Sequence, residues 1–463
     1  MNDLKPAGTG PAAAGPVTGT PVARTPAAAV PATGKPNAGM LPAAFSSYQK
    51  FVVAMLAFLQ FTIVLDFMML APLGALVMPA LNITPSQFGL VVSTYAFSAG
   101  LSGLLTAGFA DRFDRKKLLI VFYAGFVAGT LLCAVAATYP MLLVARMVTG
   151  LFAGVVGSVS FAIVTDLFPV QMRGRVMGII QTAFAASTVM GIPVALFLSN
   201  HWGWNAPFFM VVAVSAAVGG LIQTKLLPVD AHLKHHPDRS PLHHLLQTVT
   251  NRSYIQGFLT TGLLSVGGFM LMPFISIFSV HNIGVPLEQL PLVYMITGAF
   301  SIVAGPLIGR ASDAYGKLKV FAFGCVLTVA MVLIYTHMHK SPLWMLCVVM
   351  VLLQIGIFSR IISSSALLSA LPRPADRGSY MSVSSSLQQV AGGVASVIAG
   401  FIVAEAPGGE LVHFDILGYV LVCTTAITLV MMYFIERKMK GDRAQSETPA
   451  ASITAPEPVP VPE

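Results

Sequence analysis

The run Ala107-Gly108-Phe109-Ala110-Asp111-Arg112-Phe113-Asp114-Arg115-Lys116-Lys117 packs six charges into residues 111–117, between apolar runs 90–110 and 118–137 that carry none. A variant returns as Gly309-Arg310-Ala311-Ser312-Asp313-Ala314-Tyr315-Gly316-Lys317, in which Asp313 aligns with Asp111 and Lys317 with Arg115. The copies lie about 200 residues apart, close to half of the chain between its tails. A charged hairpin that recurs at this interval, each time between membrane-length segments, implies two homologous membrane halves.

Composition agrees. Of 463 residues, 56% are hydrophobic and only 10% charged, against about 25% charged in soluble proteins. Such a chain has too little polar surface to cover itself in water, and its apolar runs of roughly 20 residues match a hydrocarbon core of about 30 Å. The net charge of +8 does not signal nucleic acid, because the basic residues flank apolar spans and form no continuous face. Cys133, Cys325, Cys347 and Cys423 fall inside apolar runs without CxxC spacing, so they read as small buried residues and not as a disulfide or metal framework.

Residues 1–45, rich in Ala, Pro, Gly and Thr, lack the continuous apolar core of a signal peptide and read as a disordered cytoplasmic tail. Twelve spans follow, near 51–78, 86–110, 118–137, 141–165, 176–199, 206–227, 254–280, 290–310, 319–338, 342–368, 380–404 and 414–435. They group into bundles at 46–227 and 254–436, with a cytoplasmic linker at 228–253 and a second disordered tail at 437–463. The expected fold is an all-α polytopic membrane protein of two pseudo-symmetric six-helix bundles. With both termini cytoplasmic, one set of loops holds Arg112, Arg115, Lys116, Lys117, Arg173, Arg175, Lys234, Arg239, Arg252, Lys317, Arg373 and Arg377, while the other holds only Lys340. That asymmetry sets the orientation, and the short loops with no signal-peptide pattern point to a cell (inner) membrane.

A second echo supports the duplication: Arg173-Gly174-Arg175-Val176-Met177 follows span four and Arg377-Gly378-Ser379-Tyr380-Met381 follows span ten. Through these residues the chain resembles the major facilitator superfamily over about residues 50–436. The family signature Gly-x-Leu-Ala-Asp-Arg-x-Gly-Arg-Lys corresponds to 107–116, with departures at Ala107, Phe109 and Asp114. Leu65-Asp66-Phe67 with Pro72, and Arg146 with Gly150, resemble motifs of the proton-coupled drug antiporter branch; Gly191-Ile192-Pro193 is a loose version of the exporters' Gly-Pro motif. The resemblance implies a proton-coupled exporter of small amphipathic compounds, needing no cofactor.

Asp66 is the one carboxylate near the middle of an apolar span. A charge there costs roughly 2.5–3.5 kcal/mol on insertion scales, so Asp66 should face a cavity or a partner, and a carboxyl balanced between burial and a nearby cation can exchange protons near neutral pH. Thr62, Asp66 and Met69 share a helix face by spacing, the expected cavity face. Counting about 1.5 Å per residue, Arg146 sits about 10 Å above Asp66, within reach of a long side chain or a bridging water; the alternative is snorkelling to the interface. Arg360, among Ser359, Ser363, Ser364 and Ser365, either meets substrate, snorkels or caps backbone, and Gln60, Gln181, Gln354, Gln388 and Gln389 are candidate cavity amides.

The hairpin charges read as a gate. Asp111 can receive the positive N-terminal end of a neighbouring helix, which the resemblance identifies as span eleven; Arg112 and Arg115 can pair with Asp114 or Asp166, and Asp313, Gly316 and Lys317 form the second copy. His232, His235, His236, His243 and His244 read as flexible linker, not a metal site. Three functions compete: a proton-coupled exporter, an importer or uniporter of a nutrient or metal chelate on the same fold, and a polytopic membrane enzyme. Short loops without a catalytic constellation disfavour the enzyme, and the absence of a Gly-x4-Gly-Lys-Ser/Thr run disfavours direct drive by ATP. The expected partners are a small molecule, protons and lipid; the chain is expected to work as a monomer.

Overall fold

The computed structural model describes residues 45–230, 247–373 and 376–447. The tail at 1–44, most of the linker with its His cluster, and the residues after Glu447 lie outside the described residues. From Phe45 onward the chain is one compact unit.

Among the described residues, twelve helices are long and apolar enough to cross a membrane. Spans 1 to 6 are Ser47–Met69, Pro85–Thr106, Arg115–Ala134, Tyr139–Leu167, Met172–Trp202 and Ala206–Lys225; spans 7 to 12 are Tyr254–His281, Leu287–Tyr315, Lys317–Thr336, Leu343–Leu368, Gly378–Ile402 and Phe414–Gly441. Their starts are encoded locally. Ser46 and Thr84 form capping boxes with Gln49 and Gln87, and Pro85 follows at the first helical position, where the amide it lacks would have had no helical partner. The twelfth helix continues to Glu447, so 437–447 is helix where the sequence suggested tail. Cys423 is exposed, whereas the other three cysteines are buried.

Two spans are broken at related places. Span 1 stops at Met69, turns through Leu70–Leu73 and resumes as Gly74–Leu81. Span 7 stops at Leu271, tightens through Met272–Phe274 and resumes as Ile275–His281. Pro72 and Pro273 sit in the breaks, each removing an amide donor and crowding the preceding turn. The continuous spans expected at 51–78 and 254–280 are thus each two pieces.

The halves meet along spans 2 and 11, spans 5 and 8, and the resumed ends of spans 1 and 7. A Cβ on Gly89 would lie 2.7 Å from the Ser396 carbonyl, and one on Gly100 would lie 2.9 Å from that of Ser386, so spans 2 and 11 pack backbone to backbone. The side-chain hydrogen bonds joining the halves among the described residues are Ser276 Oγ to the Ala71 carbonyl (2.9 Å) and Asn200 Nδ2 to the Leu287 carbonyl (2.9 Å). Both lie at the end opposite the termini, where Phe88 meets Phe274 edge-on at 6.3 Å. At that end Asn282 also clamps Leu411, of the two-residue ladder Ala404–Glu405 with Leu411–Val412, through two bonds of 2.8 and 2.9 Å. The two halves are thus joined by side-chain hydrogen bonds and ring contact at the end away from the termini.

Candidate translocation site

Span 4 carries its arginine into the interior because small residues let it approach its neighbours. At Gly150 a Cβ would collide with the Tyr95 carbonyl of span 2, and at Gly129 of span 3 a Cβ would sit 2.9 Å from the backbone nitrogen of Thr149. With the helices this close, Arg146 is fully buried, as are Asp66 and Thr130, and Tyr95 is 1% exposed. Arg146 Nη1 donates to Asp66 Oδ2 at 2.9 Å and to the Asp66 carbonyl at 3.2 Å. Thr130 Oγ1 donates to Asp66 Oδ1 at 3.3 Å, and the guanidinium lies 4.4 Å from the centre of the Tyr95 ring. Arg146 Nε and Nη2 and the Tyr95 hydroxyl meet no hydrogen-bond partner. The gap of about 10 Å counted from helical rise is closed by direct contact, and Arg146 does not snorkel.

The other residues singled out in the sequence are dispersed. Thr62 donates to the Leu59 carbonyl (2.8 Å) and meets the Tyr123 hydroxyl of span 3 at 3.0 Å, and Met69 is fully buried in the core. The face they share with Asp66 therefore packs inside the first half and does not line an open cavity. Gln60 is partly buried with Oε1 unpartnered, Gln354 and Gln389 are partly buried, and Gln181 and Gln388 are exposed. Arg360 is 4% exposed and does not snorkel. It borders a cavity of about 70 Å³ with Thr328, and its Nε and Nη2 reach no acceptor. A larger concavity of about 590 Å³, between residues 84–86 and 400–407, takes no residue from spans 1 or 4.

At the terminal end, Arg115 Nε pairs with Asp166 Oδ2 at 3.2 Å, as the charge pattern allowed, but both belong to the first half. Asp114 Oδ1 accepts from the amides of Lys116 (2.8 Å) and Val229 (3.1 Å), capping span 3 and tying down the start of the linker. Arg112 and Asp313 are exposed; Gly316, at φ +100°, makes the turn into span 9, which Lys317 begins. The side chain of Asp111, on which the inter-half latch rests, lies outside what the structure describes.

One feature had only a faint signal. Ser187–Gly191 of span 5 is a π-helical turn just before Pro193. Ser187 Oγ donates to the Phe61 carbonyl at 3.0 Å, a Cβ on Gly191 would press 2.6 Å from Leu65, and Gly298 of span 8 lies against Val189. A widened turn of this kind often marks a functional site, and here it touches both span 1 beside Asp66 and the other half.

Comparison with known proteins agrees with this architecture. A family model described as Major Facilitator Superfamily matches residues 56–261 and again 257–460. The uncharacterized MFS-type transporters YtbD and YceJ of Bacillus subtilis are 27% and 25% identical over 42% and 58% of this chain; the matched regions span 48% and 69% of those proteins. A probable sugar efflux transporter of Mannheimia succiniciproducens is 24% identical over 54% of this chain and 62% of its own length. Among solved structures, an inward-facing, occupied bacterial homologue of the human lysosomal transporter Spinster superposes with a TM-score of 0.68 at 15% identity, covering 86% of this chain and 99% of that one. The nucleoside transporter NupG superposes with a TM-score of 0.65 at 16% identity, covering 85% and 100%. Two matches to one family model, one on each half, together cover most of the chain: it belongs to the major facilitator superfamily.

Proposed function

We propose that this transporter exports a small amphipathic compound in exchange for protons, with Asp66 carrying the proton. The observation that supports this reading is the buried pair of Asp66 and Arg146. Protonating Asp66 cancels the charge that holds the guanidinium and frees Arg146, already stacked on Tyr95, to turn toward cargo. Asp66 lies one turn ahead of the break at Leu70–Leu73, beyond which the resumed helix seals against span 7. A change of charge at Asp66 therefore acts on the segment that closes the far end, which is the coupling an alternating-access carrier needs. The Lys and Arg bias of the loops favours cytoplasmic termini in a cell membrane, and on that reading the end where the halves are hydrogen-bonded faces outward. On this reading the partly buried amides, Gln60 on span 1, Gln354 on span 10 and Gln389 on span 11, are the ones that meet cargo.

The test is substrate-driven proton movement in proteoliposomes holding a trapped pH dye, with a panel of amphipathic compounds. The wild-type chain should move protons against the compound, and Asp66→Asn should bind it yet move none. Full coupled movement by Asp66→Asn would remove Asp66 as the carrier. Accumulation in right-side-out vesicles instead of everted ones would reverse the direction and favour an importer.

A further inference from the structure

Counted from the prolines in the two broken spans, Asp66 stands six residues before Pro72, and the residue six before Pro273 is Gly267. Asp66 meets a guanidinium in the first half. Gly267 does so in the second: a Cβ built on it would lie 3.7 Å from Arg360 Nη2, 3.4 Å from Thr424 Oγ1 and 3.8 Å from Leu421. The two arginines are not duplicates, for Arg146 enters near the start of span 4 and Arg360 lies well along span 10. What is shared is a cation beside the same position of the broken span, and the second half lacks the carboxylate.

Nothing in that half replaces it. Spans 7 to 11 contain no Asp or Glu away from their ends. Among the described residues Arg360 has no ion pair, and the Cys325 thiol, which interacts with it, is a weak acceptor. Arg360 and Thr328 both line the cavity, and the buried atoms Arg360 Nε, Arg360 Nη2 and Thr328 Oγ1 have no hydrogen-bond partner. A buried charge needs a partner, and the cavity holds about 70 Å³, a little over twice the share of one water in the liquid, about 30 Å³. That is room for a headgroup of carboxylate size. Gly268, Leu271, Ile275, Val332 and Ile357 make the rest of the wall mainly apolar.

We infer that Arg360 and Thr328 form a subsite for an acidic headgroup, so the cargo is an organic anion with an apolar body. This deepens the exporter reading and rests on the chain's being a carrier, but not on proton coupling or direction.

The test is thermal unfolding of the purified full chain in chloride-free buffer with benzoate, benzyl alcohol or benzylamine. These probes share a size and differ in charge. Benzoate should raise the unfolding temperature by a few degrees, saturably, while the neutral and cationic probes do not. Arg360→Lys should weaken apparent benzoate affinity about tenfold, and Arg360→Gln should abolish the shift. Gly267→Asp, for which the Cβ has room, supplies the absent carboxylate from within and should stabilise the free chain while eliminating the benzoate response. Four results would overturn the subsite: no saturable benzoate shift in the wild-type chain, an equal shift with benzyl alcohol, an unchanged benzoate shift in Gly267→Asp or Arg360→Gln, or a full shift from chloride alone. The last would mean an inorganic counter-ion only. Because the readout is equilibrium binding, a carrier that failed to couple protons would still give the expected shifts.

Discussion

Spans 1 and 7 break at a proline, resume as short helices and close the far end against each other, with Ser276 bonded to the Ala71 carbonyl. Around this shared frame the charges differ. The first half buries a cation and a carboxylate in contact; the second buries a cation beside a glycine. Backbone geometry has been kept between the copies while electrostatics has diverged, so the first half is internally compensated and the second depends on something from outside the chain. The most direct way to break this contrast is to remove each arginine. Arg146→Ala strands a buried Asp66 and should cost about 3–5 kcal/mol, the usual penalty for taking one partner from a buried pair. Arg360→Gln removes an uncompensated charge and should leave stability unchanged or raised. Thermal unfolding of the two variants side by side checks both; equal losses would mean that Arg360 is compensated after all.

The next effect tests the seal rather than the charges. Ser276→Ala removes one of the two side-chain hydrogen bonds that join the halves at the far end. At about 1 kcal/mol for a neutral bond, the sealed population should fall relative to the open one roughly fivefold. Spin-label distances across the resumed ends of spans 1 and 7 should broaden toward a longer component. Unchanged distances would assign the seal to the aromatic contacts and to the backbone packing of spans 2 and 11.

Much of the scaffold was legible in the sequence because its signals are discrete: apolar runs of membrane length and charged turns that repeat. The site was less so. In lipid both the outward and the inward face of a helix are apolar, so periodicity does not separate Gln181, which is exposed, from Gln60, which is partly buried. Helical rise gave the depth of Arg146 but not the close approach at Gly129 and Gly150 that brings its guanidinium onto Asp66. The prolines at 72 and 273 were visible; that they end helices there, while Pro306 lies within span 8, depends on tertiary contacts the sequence does not display.

The smallest effect sharpens the contrast at the hairpins where the duplication first shows. The family's glycine position is Gly316 in the second copy and Asp114 in the first. Gly316 sits at φ +100° and ψ 141°, a conformation that side chains rarely adopt, so the second turn requires its glycine. Asp114 sits at φ −57° and ψ 123°, and its carboxylate caps the next helix through the Lys116 amide. The first copy has thus exchanged a turn made by backbone freedom for one made by a side-chain cap. Since glycine is only a few tenths of a kcal/mol worse than aspartate as an N-cap, Asp114→Gly should barely move the unfolding temperature. The carboxylate also accepts from the Val229 amide, however, so hydrogen exchange at Val229 should quicken in this variant while exchange within span 3 does not. Loss of the whole of span 3 would instead mean that Asp114 anchors the helix and not only its cap and the linker.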